Sequence, residues 1–415
     1  MKFLWLSPDG DGMGLALRVL DEGNEVAMMI LNHDLANIGD GMVPKVTDWD
    51  FEFDTDTVVV ADSSSAGILC DMLRSRGFPI CCGSYLADRL ENDRVYSEDI
   101  MRQHGIKVPR SWQFHSWDDA RTFAESVDVP TAFKPSGGLS GVLPSDKAET
   151  GQDLIEILDF YQRKLPGETE FTIQEWLSGT GISTEGWFNG DEFIKGSFNH
   201  TLERKHSQNE NLGLSGGCAG NVVWPCHGCS LVELLAKLTP FLRKHHYVGP
   251  LDLNCVVNEN EVYGLEFTPR FGYDAAPVLL CNLLKDDIGQ FLSDLARGQL
   301  RSVNFGSDFA AGVRVSIPPW PSENFPAPEG IPVHGVSDGF YPFQLKMEDK
   351  EVLTVGGAGI VGVAMGVGEL MEATLKRAYK VADKVEVRHK QYRTDLFEEF
   401  QRDLETIAEE VGVAI

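Results

Sequence analysis

Apolar positions in the first hundred residues come in short runs at 3–6, 26–31, 57–61 and 79–82, each the length of a strand. The segments between them, such as 14–22 and 66–76, have helix length. Strand and helix alternating at this spacing predict parallel strands with helices on both faces. A helix over 94–104 leads into Gly105-Ile106-Lys107-Val108-Pro109, where a second domain is expected to begin. That domain reads as mixed α and β to about residue 305, with a strand ending near Lys134 and an acidic-apolar strand over 171–177. Two closing strands, 250–257 and 261–267, flank a hairpin turn at Asn258-Glu259-Asn260. Beyond it lie the Pro-rich stretch that starts at Ile317, an amphipathic helix over 369–384 and a last helix. The last one places Leu396, Phe397, Phe400, Leu404, Ile407 and Val411 on one face. The expectation is an α/β chain with an N-terminal α/β domain at 1–105, a central α+β domain at 106–305 and a C-terminal α+β domain at 306–415.

Composition narrows the function. A chain of 415 residues is too long for one compact core. Its 63 acidic and 36 basic residues give a net charge of −27, which argues against gripping duplex nucleic acid through a broad basic face. A nucleotide in a locally basic cleft stays compatible. No apolar run approaches the roughly 18 residues of a membrane helix, and the start reads as a first strand, so no membrane partner and a cytoplasmic location are expected. Eight cysteines are scattered without disulfide spacing. Cys226-His227-Gly228-Cys229 has the spacing of a zinc or redox pair, but no second pair lies nearby, and two reduced thiols are the favoured reading.

The chemistry concentrates around the hairpin. Asp252 and Glu266 lie one on each strand, and on pairing both carboxylates can point to the same face. Two carboxylates aimed at one point are costly without a cation between them, and hard oxygen ligands suit Mg²⁺, which also bridges ATP phosphates. Arg270 follows closely, placed for a phosphate or acyl-phosphate oxygen. Lys134 ends an apolar strand, and Ser136-Gly137-Gly138-Leu139-Ser140-Gly141 follows as a loop whose N–H groups can cover a triphosphate. The Walker pattern is missing, which excludes a P-loop. Arg94, Arg204 and Lys205 are further cations that can converge on phosphates. The glycine-rich turn at 7–14 reads as a plain tight turn, since Asp9 and Asp11 would repel a phosphate.

This order of motifs resembles the ATP-grasp superfamily and, over nearly the whole chain, the phosphoribosylamine–glycine ligase family. "TVVVADSSSAGILCDMLRSRGFPICCGS" and "LENDRVYSEDIMRQHGIKVP" are similar to the family's segments before its ATP domain. "IQEWLSGTGIS" resembles the hinge strand that meets adenine, which implies Glu175 and Leu177 as base contacts. "LERKHSQNENLGLSGGCAG" is similar to the loop with two cations and a glycine pair, matched by Arg204, Lys205, Gly216 and Gly217. "GLEFTPRFG" resembles the metal and phosphate motif, and residues 356–395 resemble the family's C-terminal domain, Arg393 included. The resemblance implies an ATP-grasp fold, divided near residue 180, with a small parallel-sheet domain before it and a small α+β domain after it.

The implied cofactors are ATP and Mg²⁺. Arg94, Lys134, Gly137, Gly138, Glu175 and Leu177 would hold the nucleotide, and Asp252, Glu266 and Thr268 the metal. Arg270, Lys205 and Arg204 would act on the phosphoryl group, with Gly216, Gly217 and Arg393 on the substrate side. The departures also carry information. Thr268 stands where the family has an asparagine, and Gly181 where it has a glutamate for the ATP ribose, a role Glu185 can take from the same strand face. Leu214-Ser215, Tyr273-Asp274-Ala275, Asp62-Ser63-Ser64 and the 12–15 turn all differ on the acceptor side. The implied activity is amide formation through an acyl phosphate, joining glycine or a similar amino acid to phosphoribosylamine in purine biosynthesis. One alternative keeps the ligase chemistry with another amine acceptor, such as a modified nucleotide. The other is a non-catalytic ATP-binding protein. A monomer or homodimer acting on small molecules is expected.

Overall fold

The computed structural model describes residues 1–47, 53–135, 146–165, 170–226, 228–258, 261–306, 308–322 and 325–411. Gly137 and Gly138 lie outside the described residues, as do the two hairpin residues 259 and 260.

The first unit is a parallel sheet in the order β2-β1-β3-β4, with β1 (Lys2–Ser7), β2 (Glu25–Ile30), β3 (Val58–Ala61) and β4 (Ile80–Cys81). Four consecutive apolar side chains, Phe3 to Leu6, are buried in β1, as a central strand covered on both faces requires. Helices α1 (Met13–Asp21), α2 (Gly67–Ser75), α3 (Tyr85–Asn92) and α4 (Arg94–Gln103) complete it. Ser84 and Asp93 cap the last two, accepting from the Ala87 and Tyr96 N–H groups. The Asp93 cap makes Arg94 the first residue of α4 and fixes where that guanidinium starts.

A second, antiparallel sheet runs β5-β8-β6-β7, from β5 (Ser111–Phe114), β6 (Thr131–Pro135), β7 (Asp146–Ala148) and β8 (Phe171–Glu175). With α5 (Trp117–Ala124) and α6 (Gly151–Lys164) it encloses its own core, in which Trp117, Phe133, Tyr161 and Phe171 stack. A separate core of this kind lets the unit form a distinct lobe holding Lys134.

The largest layer is an eight-stranded sheet built from β9 (Thr180–Asn189), β10 (Asn199–His206), β11 (Ser215–Pro225), β12 (Val248–Asn258) and β13 (Glu261–Thr268) together with C-terminal strands. The C-terminal strands of the chain are β14 (Phe309–Ser316), β15 (Glu329–Pro332), β16 (Phe340–Pro342), β17 (Leu345–Glu348), β18 (Glu351–Val355) and β19 (Ile360–Gly368). The order is β13-β12-β9-β10-β11-β14-β19-β16, and β15-β18-β17 form a small sheet of their own. Helices α7 (Ser230–Ala236), α8 (Thr239–Lys244), α9 (Ala275–Asn282), α10 (Ile288–Ala296), α11 (Met371–Lys384) and α12 (Leu396–Val411) cover the layers. Because β11 pairs with β14, Gly220 opposite Val313, the sheet runs straight across position 305, where the sequence suggests a domain boundary. One continuous apolar core accordingly joins β1 and α1 to α11 and α12.

Candidate active site

The strand register builds the site. Asp252 sits opposite Glu185 on one side and Thr268 on the other, while Asn254 sits opposite Ser183 and Glu266. Cross-strand partners share a face, so Glu185, Asp252 and Thr268 form one row and Ser183, Asn254 and Glu266 the next. Asp252 and Glu266 are therefore diagonal neighbours on one face. On β10, Asn199 and Thr201 pair with Glu185 and Ser183, and strand alternation carries Glu203 and Lys205 to the same side. Lys205 Nζ lies 3.3 Å from Glu203 Oε1 and 3.5 Å from Glu266 Oε1.

Three cations surround Glu266. Lys205, then Arg94 and Lys134, hold its carboxyl down at about 2 although it is partly buried. Lys134 feels the converse: burial, with Arg94 adding repulsion, pushes its ammonium down to about 7. The structure thus brings Arg94 from α4, Lys134 from the small lobe, and Lys205 and Glu266 from the large sheet to one place. With all three bases protonated this cluster carries a surplus of positive charge, a seat for an anion with several oxygens.

The carboxylate rows behave differently. Burial, reinforced by Glu185 and Glu203, drives the Asp252 carboxyl well above the usual range, and its Oδ1 is buried without a hydrogen-bond partner among the described residues. Burial raises Glu185 to about 7 while it accepts from Trp187 Nε1 at 2.8 Å and Asn199 Nδ2 at 3.1 Å. An orphaned carboxylate oxygen among acids that resist ionisation fits a hard divalent cation, which would replace protons there. Thr268 Oγ1 accepts from Asn254 Nδ2 at 3.1 Å. Asn254 is a residue the sequence reading missed, although its place two positions after Asp252 gives it the same face.

Beyond the carboxylates lies a second cluster. Arg270 donates to Glu91 Oε1 from Nε at 3.0 Å and from Nη2 at 2.8 Å, and its guanidinium stacks 4.0 Å from the Tyr273 ring. Arg314 donates from Nε to Asp274 Oδ2 at 3.1 Å and from Nη1 to the Gly216 carbonyl at 3.3 Å, which ties the glycine pair to this side. A side chain at Gly216 would strike Pro321 at 2.3 Å, and Gly217 has φ +76°. The 10–12 turn folds against the same region, where Gly12 N–H donates to Asp62 Oδ2 at 2.7 Å. Burial lifts Asp62 to about 8, with Asp11 adding to it, and lifts Asp11 to about 6. The sequence assigns none of Glu91, Asp274, Arg314 and Asp62 a role here, because the contacts Arg270–Glu91, Arg314–Asp274 and Gly12–Asp62 each span 40 or more positions of the chain.

Three expected residues, Arg204, Arg393 and Glu185, are placed otherwise. Arg204 turns to the opposite face of β10, donating from Nε to Glu399 Oε2 at 3.1 Å and pairing with Asp403 Oδ2 at 2.7 Å. Alternation along β10 puts it on the α12 side, away from Lys205. Arg393 has a fully buried side chain that donates to both Asp395 oxygens, at 2.9 and 2.7 Å, and to Asn211 Oδ1 at 2.8 Å. Its donors brace the 206–211 loop. Glu185 is hydrogen-bonded deep beside Asp252, which takes it from an open ribose position. Gly181 leaves space on its strand, since among the described residues a methyl group at this position would meet only the Cys255 carbonyl oxygen, at 4.0 Å. Glu175 closes β8 with its carboxylate bound by Arg110 at 2.9 and 3.0 Å, and Leu177 follows half-buried.

No protein-family model matches the chain. A bifunctional purine biosynthetic protein of Pichia angusta is 26% identical over 337 residues, 77% of this chain and 42% of that protein, so the chain spans less than half of that relative. A phosphoribosylamine–glycine ligase of Thermotoga maritima is 25% identical over 321 residues, 74% of this chain and 77% of the ligase. The crystal structure of the phosphoribosylamine–glycine ligase from Thermotoga maritima superposes with a TM-score of 0.77 at 20% identity, over 95% of this chain and 100% of that one. The biotin carboxylase domain of Hydrogenobacter thermophilus 2-oxoglutarate carboxylase, in a complex with MgADP, ADP and bicarbonate, gives 0.64 at 12% identity, over 94% and 91%. The chain has the ATP-grasp fold and resembles phosphoribosylamine–glycine ligases along most of its length.

Proposed function

We propose that the protein is an ATP-dependent carboxylate–amine ligase that joins glycine to phosphoribosylamine. The observation that carries this reading is the meeting of Arg94, Lys134 and Lys205 around Glu266, beside the Asp252 row, at the junction of two lobes. Arg94, Lys134 and Lys205 hold the phosphates of ATP, and the β8 end at Glu175 and Leu177 faces the base. Asp252 and Glu266, with Thr268 beside them, hold magnesium, which supplies charge neutralisation to the transferring phosphoryl group when bound. Arg270, fixed by Glu91 and Tyr273, stabilises the acyl phosphate formed when the glycine carboxylate attacks the γ-phosphorus and ADP leaves. The amine then attacks the acyl carbon and expels inorganic phosphate. Positioning and charge neutralisation carry both steps, so no covalent enzyme nucleophile is required.

The test is magnesium-dependent ADP release with glycine, with and without freshly generated phosphoribosylamine, and product identification by mass. Release that needs both substrates and yields glycinamide ribonucleotide supports the reading. Release without that product rejects the acceptor, and no release from protein that binds Mg-ATP rejects the ligase.

A second reading keeps the chemistry and changes the amine. On the acceptor side Arg270 and Arg314 are already paired with Glu91 and Asp274, and Asp11 and Asp62 face the same space. Such surroundings favour an amine whose binding end carries no phosphate. A panel of unphosphorylated amines, scored by glycine-dependent ADP release, separates the two.

A further inference from the structure

Behind the catalytic face, on the other side of β9 and β10, the described residues contain one group of three His, Cys, Asp or Glu side chains whose ligand atoms all lie within 4.8 Å of one another: His200, Cys226 and Cys229. His200 comes from the start of β10, Cys226 follows β11, and Cys229 immediately precedes α7. The His200 ring is fully buried, and its Nδ1 is engaged by the Thr184 hydroxyl at 2.9 Å. That contact leaves Nε2 to face Cys229 Sγ, 3.4 Å away, while the two sulfurs lie 3.7 Å apart.

We infer that His200, Cys226 and Cys229 form a binding site for a zinc ion. Zinc–sulfur bonds of about 2.3 Å and zinc–nitrogen bonds of about 2.0–2.1 Å, at tetrahedral angles, put ligand atoms roughly 3.5–3.8 Å apart. The observed S–S and S–N separations are close to those edges. A hydroxyl on the remote imidazole nitrogen, fixing the tautomer and the ring, is the arrangement that metal-bound histidines use. Binding displaces the two thiol protons and leaves a fourth position for water or another ligand. The ion would pin the 226–229 connection and α7 to the strands that carry Glu185 and Lys205 on their other face. The linear order hides the site, because His200 lies 26 residues before Cys226, with the rest of β10 and all of β11 between them.

The full chain, produced with zinc in the medium and desalted under reducing conditions, is expected to retain about one zinc per chain by mass spectrometry of the metal. C226S and C229S should each lose it, and a strong chelator should lower the thermal midpoint of the parent protein but not of either variant. Cobalt-loaded parent protein should show thiolate-to-cobalt charge transfer, a readout that holds even if the serine variants fail to fold. Zinc retained undiminished in both variants would overturn the site. So would a parent protein without stoichiometric zinc whose two cysteines are free, or joined in a disulfide. ATP turnover enters none of these readouts, so the outcome is independent of the proposed ligase activity.

Discussion

Lys134 is a partly buried ammonium at the end of β6 whose affinity for a proton is lowered to about 7 by burial and by Arg94. ATP phosphates would favour its charged form. Above about pH 7 nucleotide binding should therefore take up a proton, and affinity should fall by roughly tenfold per pH unit until the liganded group also titrates. Calorimetry in buffers of different ionisation enthalpy measures that uptake, and Lys134→Met should abolish it while weakening binding. Asp62 titrates with the opposite consequence for folding. Its folded carboxyl, at about 8, binds a proton more tightly than an unfolded one near 4, so its burial costs nothing at acid pH. The cost grows as pH rises from about 4 towards 8. Asp62→Asn, whose amide oxygen can still accept from Gly12 and Trp5, should be more stable than the parent at pH 8 by on the order of 1–3 kcal/mol, and the gain should vanish near pH 4. Denaturant melts at both values check this.

At the scale of elements, α12 and the loop before β11 are held by arginines. Arg204 reaches Glu399 and Asp403 on α12 and lies 5.1 Å from the Phe400 ring, and Arg393 joins Asp395 to the 206–211 loop. Breaking a buried ion pair by removing one partner leaves an uncompensated charge. Arg393→Ala should cost about 3 kcal/mol, read as a fall in denaturation midpoint, and should raise protease cutting near 206–211. The amphipathic stripe of α12 was readable from its apolar period, and the Asp252–Glu266 hairpin from alternation and turn spacing. The bracing roles of Arg204 and Arg393 were not readable, because the resemblance supplies residue type and order but not the partners, Glu399 for Arg204 and Asn211 for Arg393, which lie far away in the chain.

For the whole molecule, the large sheet decides what can fold alone. A chain ended at residue 305 loses β14 and β19, exposing the edge of β11 and the apolar surface that α11 and α12 cover. Such a fragment should aggregate or lose its cooperative thermal transition, and circular dichroism melts with sedimentation would detect either outcome. The overall charge of −27 works against a polyphosphate ligand at long range, so the local cluster of Arg94, Lys134 and Lys205 has to supply the attraction. No helix among the described residues is long and apolar enough to cross a membrane.

By itself the sequence determined the alternation of strands and helices, the parallel first sheet, the two carboxylate strands and the order of the cationic motifs. Each of these depends on residues within a few positions of one another or on their linear order. Tertiary structure alone decided that Glu91 fixes Arg270, that Arg204 faces α12, that the sheet crosses position 305 and that His200 meets Cys226 and Cys229. Those contacts join residues far apart in the chain, and strand register, which sets the face of every side chain at once, is fixed only when the whole sheet has assembled.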